Sequence, residues 1–232
     1  MSRDVLHSLR GKFIVFDGVD GAGKGAQIRL LTDALAAYGV DHITARDPGG
    51  TVIGDRIRHV LLDYDLSQMD PRCEALLFMA SRAQLVREVI GPALREGRTC
   101  VCDRYVSATC AYQGAIGLDP HTIIELARFA IGRTWPDVTL IIDLPPATGL
   151  ERTGRRSQSA RKRTRDAGQP QLFHDACPDA MEARPIDFHE QVRENFRRLP
   201  GYYPAPVAIV DGSGTVEAVQ SRVMEALARA IQ

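Results

Sequence analysis

An apolar run, Phe13-Ile14-Val15-Phe16, leads directly into Gly18-Val19-Asp20-Gly21-Ala22-Gly23-Lys24-Gly25, and the octet opens an amphipathic segment ending near Tyr38. Its spacing fits G-x-x-x-x-G-K-[ST] except at the last position, where Gly25 replaces a hydroxyl. In this pattern glycines let successive backbone N–H groups turn inward at phosphate oxygens, and the lysine adds a movable positive charge. A strand before and a helix after are the context the pattern needs, because the helix N-terminus places its partial positive charge at the same anion site. Such a start constrains the chain to an α/β sheet with the loop at the carboxyl edge of a strand.

The rest of the chain supplies that sheet. The helix from Lys24 to Tyr38 ends at Gly39, and Val40 to Ala45 reads as a second strand, completing a βαβ unit. Arg46-Asp47-Pro48-Gly49-Gly50-Thr51 then forms a charged loop at the ligand edge, since its proline and glycines forbid regular structure. A short helix is expected over Ile53 to Leu62, then a longer one capped by Asp70 with Pro71 at its first position, which Gly91-Pro92 breaks or kinks before Glu96. Thr99 to Asp103 is a third strand ending in an acid. In a chain with a phosphate loop, that position lets a carboxylate reach Mg²⁺ or its water shell. A small-residue segment carries Ala111-Tyr112-Gln113-Gly114; Asp119-Pro120 opens a helix to Gly132; Val138 to Asp143 suits a strand covered on both faces; and a helix follows Pro145-Pro146 through Leu150. Helix signals resume from Ile186 to Leu199, Val207 to Asp211 is the last strand, and Thr215 to Ile231 the last helix. Five strands alternating with helices, without linker or repeat, predict one doubly wound, three-layer α/β domain over residues 1–232.

With 232 residues, 44% of them hydrophobic, the chain can bury one sizeable core. Its 29 basic and 29 acidic residues cancel, so no whole-molecule field draws it to nucleic acid or an anionic membrane, and electrostatic recognition must be local. No run approaches the ~20 apolar residues that span a bilayer, which sets the expectation of a cytoplasmic protein. Cys73, Cys100, Cys102, Cys110 and Cys177 contain no C-x-x-C pair and read as reduced thiols, with Cys100 and Cys102 sharing one face of a strand. Between Arg152 and Arg165 lie Arg152, Arg155, Arg156, Arg161, Lys162, Arg163 and Arg165 with no acid before Asp166. A solvated loop, a nucleic-acid patch and a lid over phosphates are the alternatives there, and the phosphate loop in the same chain favours the lid. Phe78 and Arg82, four apart on a helix, share a face; pattern alone puts Phe78 in the core and Arg82 in solvent.

Taken together, FDGVDGAGKG, RDPGGTVIGDRIRHVLL, FMASRAQ, CDRYVSATCAYQG, PDVTLIIDLPPATGLER and IDFHEQVRE, in that order and spacing, resemble the thymidylate kinase family of P-loop nucleoside monophosphate kinases. The resemblance runs from Phe13 to about Val216 and is weakest between Thr153 and Asp179. It implies a P-loop NTPase fold with a five-stranded parallel sheet and a lid over about residues 152–184. It also implies Mg²⁺-dependent transfer of the ATP γ-phosphoryl group to dTMP, giving dTDP on the way to dTTP, by a homodimer. By the same resemblance Gly18, Val19, Asp20, Gly21, Ala22, Gly23, Lys24 and Gly25 would hold ATP, Arg46 and Arg104 the dTMP phosphate, and Asp103 the metal. Asp20 would also meet the deoxyribose 3′-hydroxyl, Phe78 would stack on thymine and Arg82 would bond a base carbonyl, which reverses the pattern-only reading. Thr109 would sit at the polar edge of the base, Tyr112 would fill the space of a ribose 2′-hydroxyl, and Gln113 and Gly114 would belong to the same acceptor-side turn. Arg155 or Arg156 would be the lid arginine. The attacking group is an ionised phosphate oxygen, so positioning and charge neutralisation replace a strong base.

The sequence departs from the family pattern in four places. Lys24-Gly25-Ala26 lacks the Mg²⁺-coordinating hydroxyl and the hydroxyl beside it, which predicts weaker binding of metal and ATP. Ala180 falls where an arginine often sits, Ser81 replaces the acid that commonly precedes Arg82, and Asp47 replaces a glutamate. Two other readings therefore stand beside the dTMP kinase: a divergent nucleotide-binding paralogue with weak or no activity, and a kinase for another deoxynucleoside monophosphate. Arg46 and Arg104 speak for an acceptor that already carries phosphate.

Overall fold

The computed structural model of the chain describes residues 3–63, 69–152 and 184–231. Arg155, Arg156, Ala180 and nearly all of the expected lid lie outside those residues. In chain order the elements are α1 (Arg3–Ser8), β1 (Phe13–Asp17), α2 (Lys24–Ala37), β2 (His42–Arg46), α3 (Val52–Asp63), α4 (Pro71–Leu85), α5 (Gly91–Arg95), β3 (Thr99–Asp103), α6 (Val106–Ala115), α7 (Pro120–Ile131), β4 (Val138–Asp143), α8 (Pro146–Arg152), α9 (Ile186–Arg198), β5 (Val207–Asp211) and α10 (Val216–Ala230).

All five strands pair in parallel in the order β2-β3-β1-β4-β5. β1, β3 and β4 are central and buried on both faces, as a parallel sheet covered by helices requires, whereas the edge strands β2 and β5 are partly exposed. α2 and α10 contact each other and the sheet, while α4, α6, α7 and α9 form a second connected set. Between them lies one core, in which Phe13 meets Tyr105 edge-to-face at 5.0 Å. Cys100 and Cys102 belong to this core as buried free thiols.

The helix termini follow local chemistry. Asp70 and Asp119 accept from the backbone N–H groups of Arg72 and Thr122 at 2.8 and 2.9 Å, each directly before a proline at the first helical position. α2 closes with Gly39 at φ 66°, where Gly39 N donates to Ala36 O and Val40 N to Leu35 O at 3.1 and 2.9 Å. That Schellman closure draws Val40 into the helix end, which is why β2 begins at His42 rather than Val40.

Three further features differ from the sequence expectation. α1 is an additional short helix whose Leu6 and nearby Leu9 are fully buried. α4 does not break at Gly91-Pro92: a π-helical turn over Val86–Ile90 precedes it, and Gly91 N donates to Val86 O. Pro92 cannot donate to the helix ladder and crowds the carbonyl four residues back, and the wider turn relieves both problems. The Ala111-Tyr112-Gln113-Gly114 stretch is not a turn but part of α6, which buries residues on nearly every face. A helix enclosed all round has no amphipathic period to read.

Candidate active site

The parallel register brings three strand ends together. Arg46 of β2 pairs with Asp103 of β3, which in turn pairs with Phe16 of β1, one residue before Asp17. Gly18 to Gly23, Arg46-Asp47 and Asp103-Arg104 therefore emerge side by side at the carboxyl edge where the strand order reverses, the position at which open α/β sheets bind ligands. A cleft of about 390 Å³ lies there, lined by the phosphate loop on one side and by Phe78, Arg82, Thr109, Tyr112 and Gln113 on the other.

The loop needs its glycines. Gly18, Gly21 and Gly23 have φ of 134°, 73° and 97°, in the left-handed range that side chains disfavour. Gly21 also abuts α8: a Cβ on Gly21 would stand 2.0 Å from the Gly149 carbonyl oxygen, and one on Gly149 would stand 2.2 Å from that of Asp20. Lys24 opens α2, is 8% exposed and donates from Nζ to Gly18 O and Val19 O, both at 3.0 Å. Burial, with Arg104 adding to it, pushes the Lys24 ammonium down from its ordinary proton affinity against the pull of Asp20, Asp103 and Asp17.

Arg104 occupies a left-handed backbone position, φ 66°, immediately after β3. Its guanidinium lies 5.0 Å from the centre of the Tyr112 ring and donates to Asp20 Oδ1, to Tyr112 Oη at 3.2 Å, to Gly18 O at 3.3 Å and to Asp17 Oδ1 at 3.4 Å. Tyr112 in turn donates to Asp20 Oδ2 at 3.0 Å. Burial alone would raise the Asp20 carboxyl, but Arg104, Lys24 and the Tyr112 hydroxyl outweigh it and hold it at about 2. Asp17 shows the opposite balance: fully buried, it is raised by desolvation despite Arg104, Lys24 and hydrogen bonds from Ser107 and Gly18 at 2.7 and 3.0 Å.

Arg82, read from pattern as solvated, is 1% exposed and bound to the buried Asp47 through Nε at 2.5 Å. It also donates to Met79 Sδ at 3.1 Å, Tyr105 O at 3.1 Å and Thr109 Oγ1 at 3.0 Å, which occupies four of its five N–H groups and leaves one on Nη1 with no partner among the described residues. Phe78 both packs against the core and lines the cleft. Ser81 accepts from Gly49 N at 3.1 Å, and Arg58 donates to Pro48 O at 2.8 Å, fixing the loop that carries Asp47. Arg46 is exposed, lines the cleft and makes no ion pair among the described residues.

Asp103 Oδ1 is buried without a hydrogen-bond partner among the described residues, beside Lys24 and Gly25 in the cleft wall. An orphaned carboxylate oxygen in that place fits a hard divalent cation, which takes oxygen ligands. Among the described residues no three acidic, His or Cys side chains cluster, so water would complete the shell.

The sequence reading assigned no role to Asp17, Ser107, Arg58, Glu74 or Arg184. Asp17 carried the signal that singled out Asp103, an acid ending an apolar strand; the others touch the site only through tertiary packing.

A family model described as thymidylate kinase matches residues 16–223. A thymidylate kinase of Geobacter sp. (strain M21) is 40% identical over 223 residues, covering 96% of this chain and 93% of that protein. One of Desulfosudis oleivorans is 40% identical over 218 residues, covering 94% and 96% respectively. One of Roseiflexus sp. (strain RS-1) is 38% identical over 212 residues, covering 91% of each. These matches span both the phosphate loop and the opposing wall of the cleft, and the chain belongs to the thymidylate kinase family.

Proposed function

We propose that the protein transfers the γ-phosphoryl group of ATP to the 5′-phosphate of dTMP, giving dTDP and ADP. The observation that carries this reading is a cleft in which Lys24 and the phosphate loop face Phe78, Arg82, Thr109, Tyr112 and Gln113. In it, the loop amides and Lys24 hold the β- and γ-phosphates, Lys24 exchanging its bonds to Gly18 O and Val19 O for phosphate oxygens. Arg46 and Arg104 hold the acceptor phosphate and screen it from the donor. An ionised oxygen of that phosphate attacks the γ-phosphorus, the new P–O bond forms, and the bond to the β–γ bridging oxygen breaks with its electron pair leaving on ADP. No group need remove a proton. Mg²⁺, when bound, neutralises charge on the transferring phosphates; Asp103 is the residue that would hold it, and Gly25 adds no ligand.

Tyr112, kept in place by Asp20 and Arg104, closes the space beside the sugar. Phe78 supplies an aromatic face for the base and Arg82 its free Nη1 N–H. Arg155 and Arg156 remain candidates for the lid arginine. We also propose one kinase domain over residues 1–232, acting in the cytoplasm as a homodimer. Support for the dimer comes from exposed Val60 on α3, Leu76 on α4 and Phe129 on α7, the last 94% exposed, on helices that pack in series.

The test is purified protein with ATP, Mg²⁺ and a panel of dTMP, dUMP, dCMP, dGMP and thymidine. dTMP is expected to be the preferred acceptor. Turnover of dTMP no higher than that of a Lys24→Ala variant would sink the assignment.

A further inference from the structure

Glu74 on α4 is 1% exposed, and both of its carboxylate oxygens are engaged: Oε1 accepts from Gln113 Nε2 at 2.7 Å and Oε2 from Arg184 Nη2 at 2.9 Å. Gln113, equally buried, lines the same cleft as Arg82 and Thr109. An ionised carboxylate only accepts hydrogen bonds, so Glu74 claims the amide NH₂ of Gln113 and leaves the amide oxygen as the polar atom available to the cleft. Arg184 makes this arrangement tenable, because it is the cation paired with a carboxylate removed from water. Its guanidinium is held from a second side by the Phe188 ring at 4.7 Å, and Phe188 meets Tyr112 edge-on at 6.1 Å.

We infer that Arg184 is a positioning residue for base recognition: acting through Glu74, it fixes the Gln113 amide with its oxygen toward the cleft, so that the wall accepts a base bearing a ring N–H beside a carbonyl. The inference rests on the acceptor-site reading given above. The free Arg82 N–H donates and the Gln113 oxygen accepts. Thymine and uracil present a carbonyl next to a ring N–H and satisfy both. Cytosine presents an amino group next to an unprotonated ring nitrogen, so donor meets donor and acceptor meets lone pair. With Arg184 removed, nothing holds Glu74 Oε2 and the buried carboxylate loses its paired cation, so the Glu74 side chain no longer fixes the Gln113 amide, which can turn over and bring NH₂ to the cleft. Glu74→Gln inverts the chain of bonds more directly. Its amide oxygen takes the Arg184 donor, its NH₂ points at Gln113, and Gln113 must accept.

The experiment measures kcat and KM for dTMP and dCMP at saturating MgATP in the wild type, Arg184→Met, Arg184→Lys, Glu74→Gln and the Glu74→Gln/Arg184→Met double variant. Arg184→Met and Glu74→Gln are each expected to raise KM for dTMP about tenfold, the worth of one misdirected hydrogen bond, and to lower the dTMP-over-dCMP ratio of kcat/KM by at least about as much. kcat for dTMP stays within about twofold, Arg184→Lys restores most of the ratio, and the double variant adds little to the larger single effect. An unchanged ratio in both single variants, whether or not thermal stability falls, overturns the inference. If the wild type turns over neither nucleotide, the kinase reading fails separately, and calorimetric binding of dTMP and dCMP to the same variants decides the role of Arg184. Glu74→Gln decides alone should Arg184→Met not fold.

Discussion

Gly25 is the position at which the phosphate loop lacks its hydroxyl. It lies in the first turn of α2, its φ is ordinary, and a Cβ built there meets no heavy atom within 4 Å. Gly25→Ser is therefore sterically free. It should lower the KM for MgATP by about tenfold, the worth of one contact to a charged group, with little change in the KM for dTMP. Magnesium titrations of the two proteins check this, and an unchanged or weaker MgATP affinity refutes the account of the missing hydroxyl. Asp20 offers a second test. Its carboxyl, near 3.9 in an unfolded chain, is held at about 2, so its ion pair contributes on the order of 2 kcal/mol above pH 4 and loses that contribution as pH falls toward 2. The difference in Tm between wild type and Asp20→Asn should accordingly be largest near neutrality and shrink below pH 4; a pH-independent difference contradicts it. Residues of this kind were only partly legible beforehand. Asp20, Lys24 and Arg104 sit inside local motifs, whereas the Asp47 partner of Arg82 lies 35 positions away along the chain, and periodicity cannot tell a buried, paired arginine from a solvated one.

Elements fix the loop as firmly as its own residues do. The phosphate loop rests on α8 through Gly21 and Gly149, main chain against main chain. Gly149→Ala keeps a helical backbone but puts a methyl group 2.2 Å from the Asp20 carbonyl, so the loop has to move. The expected result is a loss of about 1–3 kcal/mol in stability together with a steep rise in the KM for MgATP, read by thermal unfolding and ATP titration. Normal ATP affinity in a destabilised variant would show that the contact serves only the fold. Elements with a cap and one apolar face, such as α7 and α10, were readable from sequence because Asp119 and Thr215 announce their starts, and Asp70 with Pro71 does the same for α4. α6 was not, since VSATCAYQGA is enclosed by neighbours from other parts of the chain and leaves no polar stripe. The π-helical turn before Pro92 was likewise hidden, because the sequence marks the obstacle and not the way around it.

For the whole molecule, the alternation of strands and helices was enough to predict a doubly wound sheet, but the order β2-β3-β1-β4-β5 is a property of the crossovers rather than of any segment. That order sets Asp17, Arg46 and Asp103 side by side from three separate strands. Quaternary structure is testable at the same scale. The protein should run at twice its 25.5 kDa chain mass by light scattering at micromolar concentration, and Phe129→Glu should shift it to the monomer. A monomeric wild type would remove the dimer from the proposal. The Gly21 and Gly149 contact also bears on how the sequence can change over time. Each glycine excludes a side chain at the other's door, so neither position can drift first, and even a double replacement would put two methyl groups into space that holds none. The phosphate loop and the helix beneath it are thus locked into inheriting their spacing together, while position 25, with open space around it, can acquire a hydroxyl-bearing side chain in a single substitution.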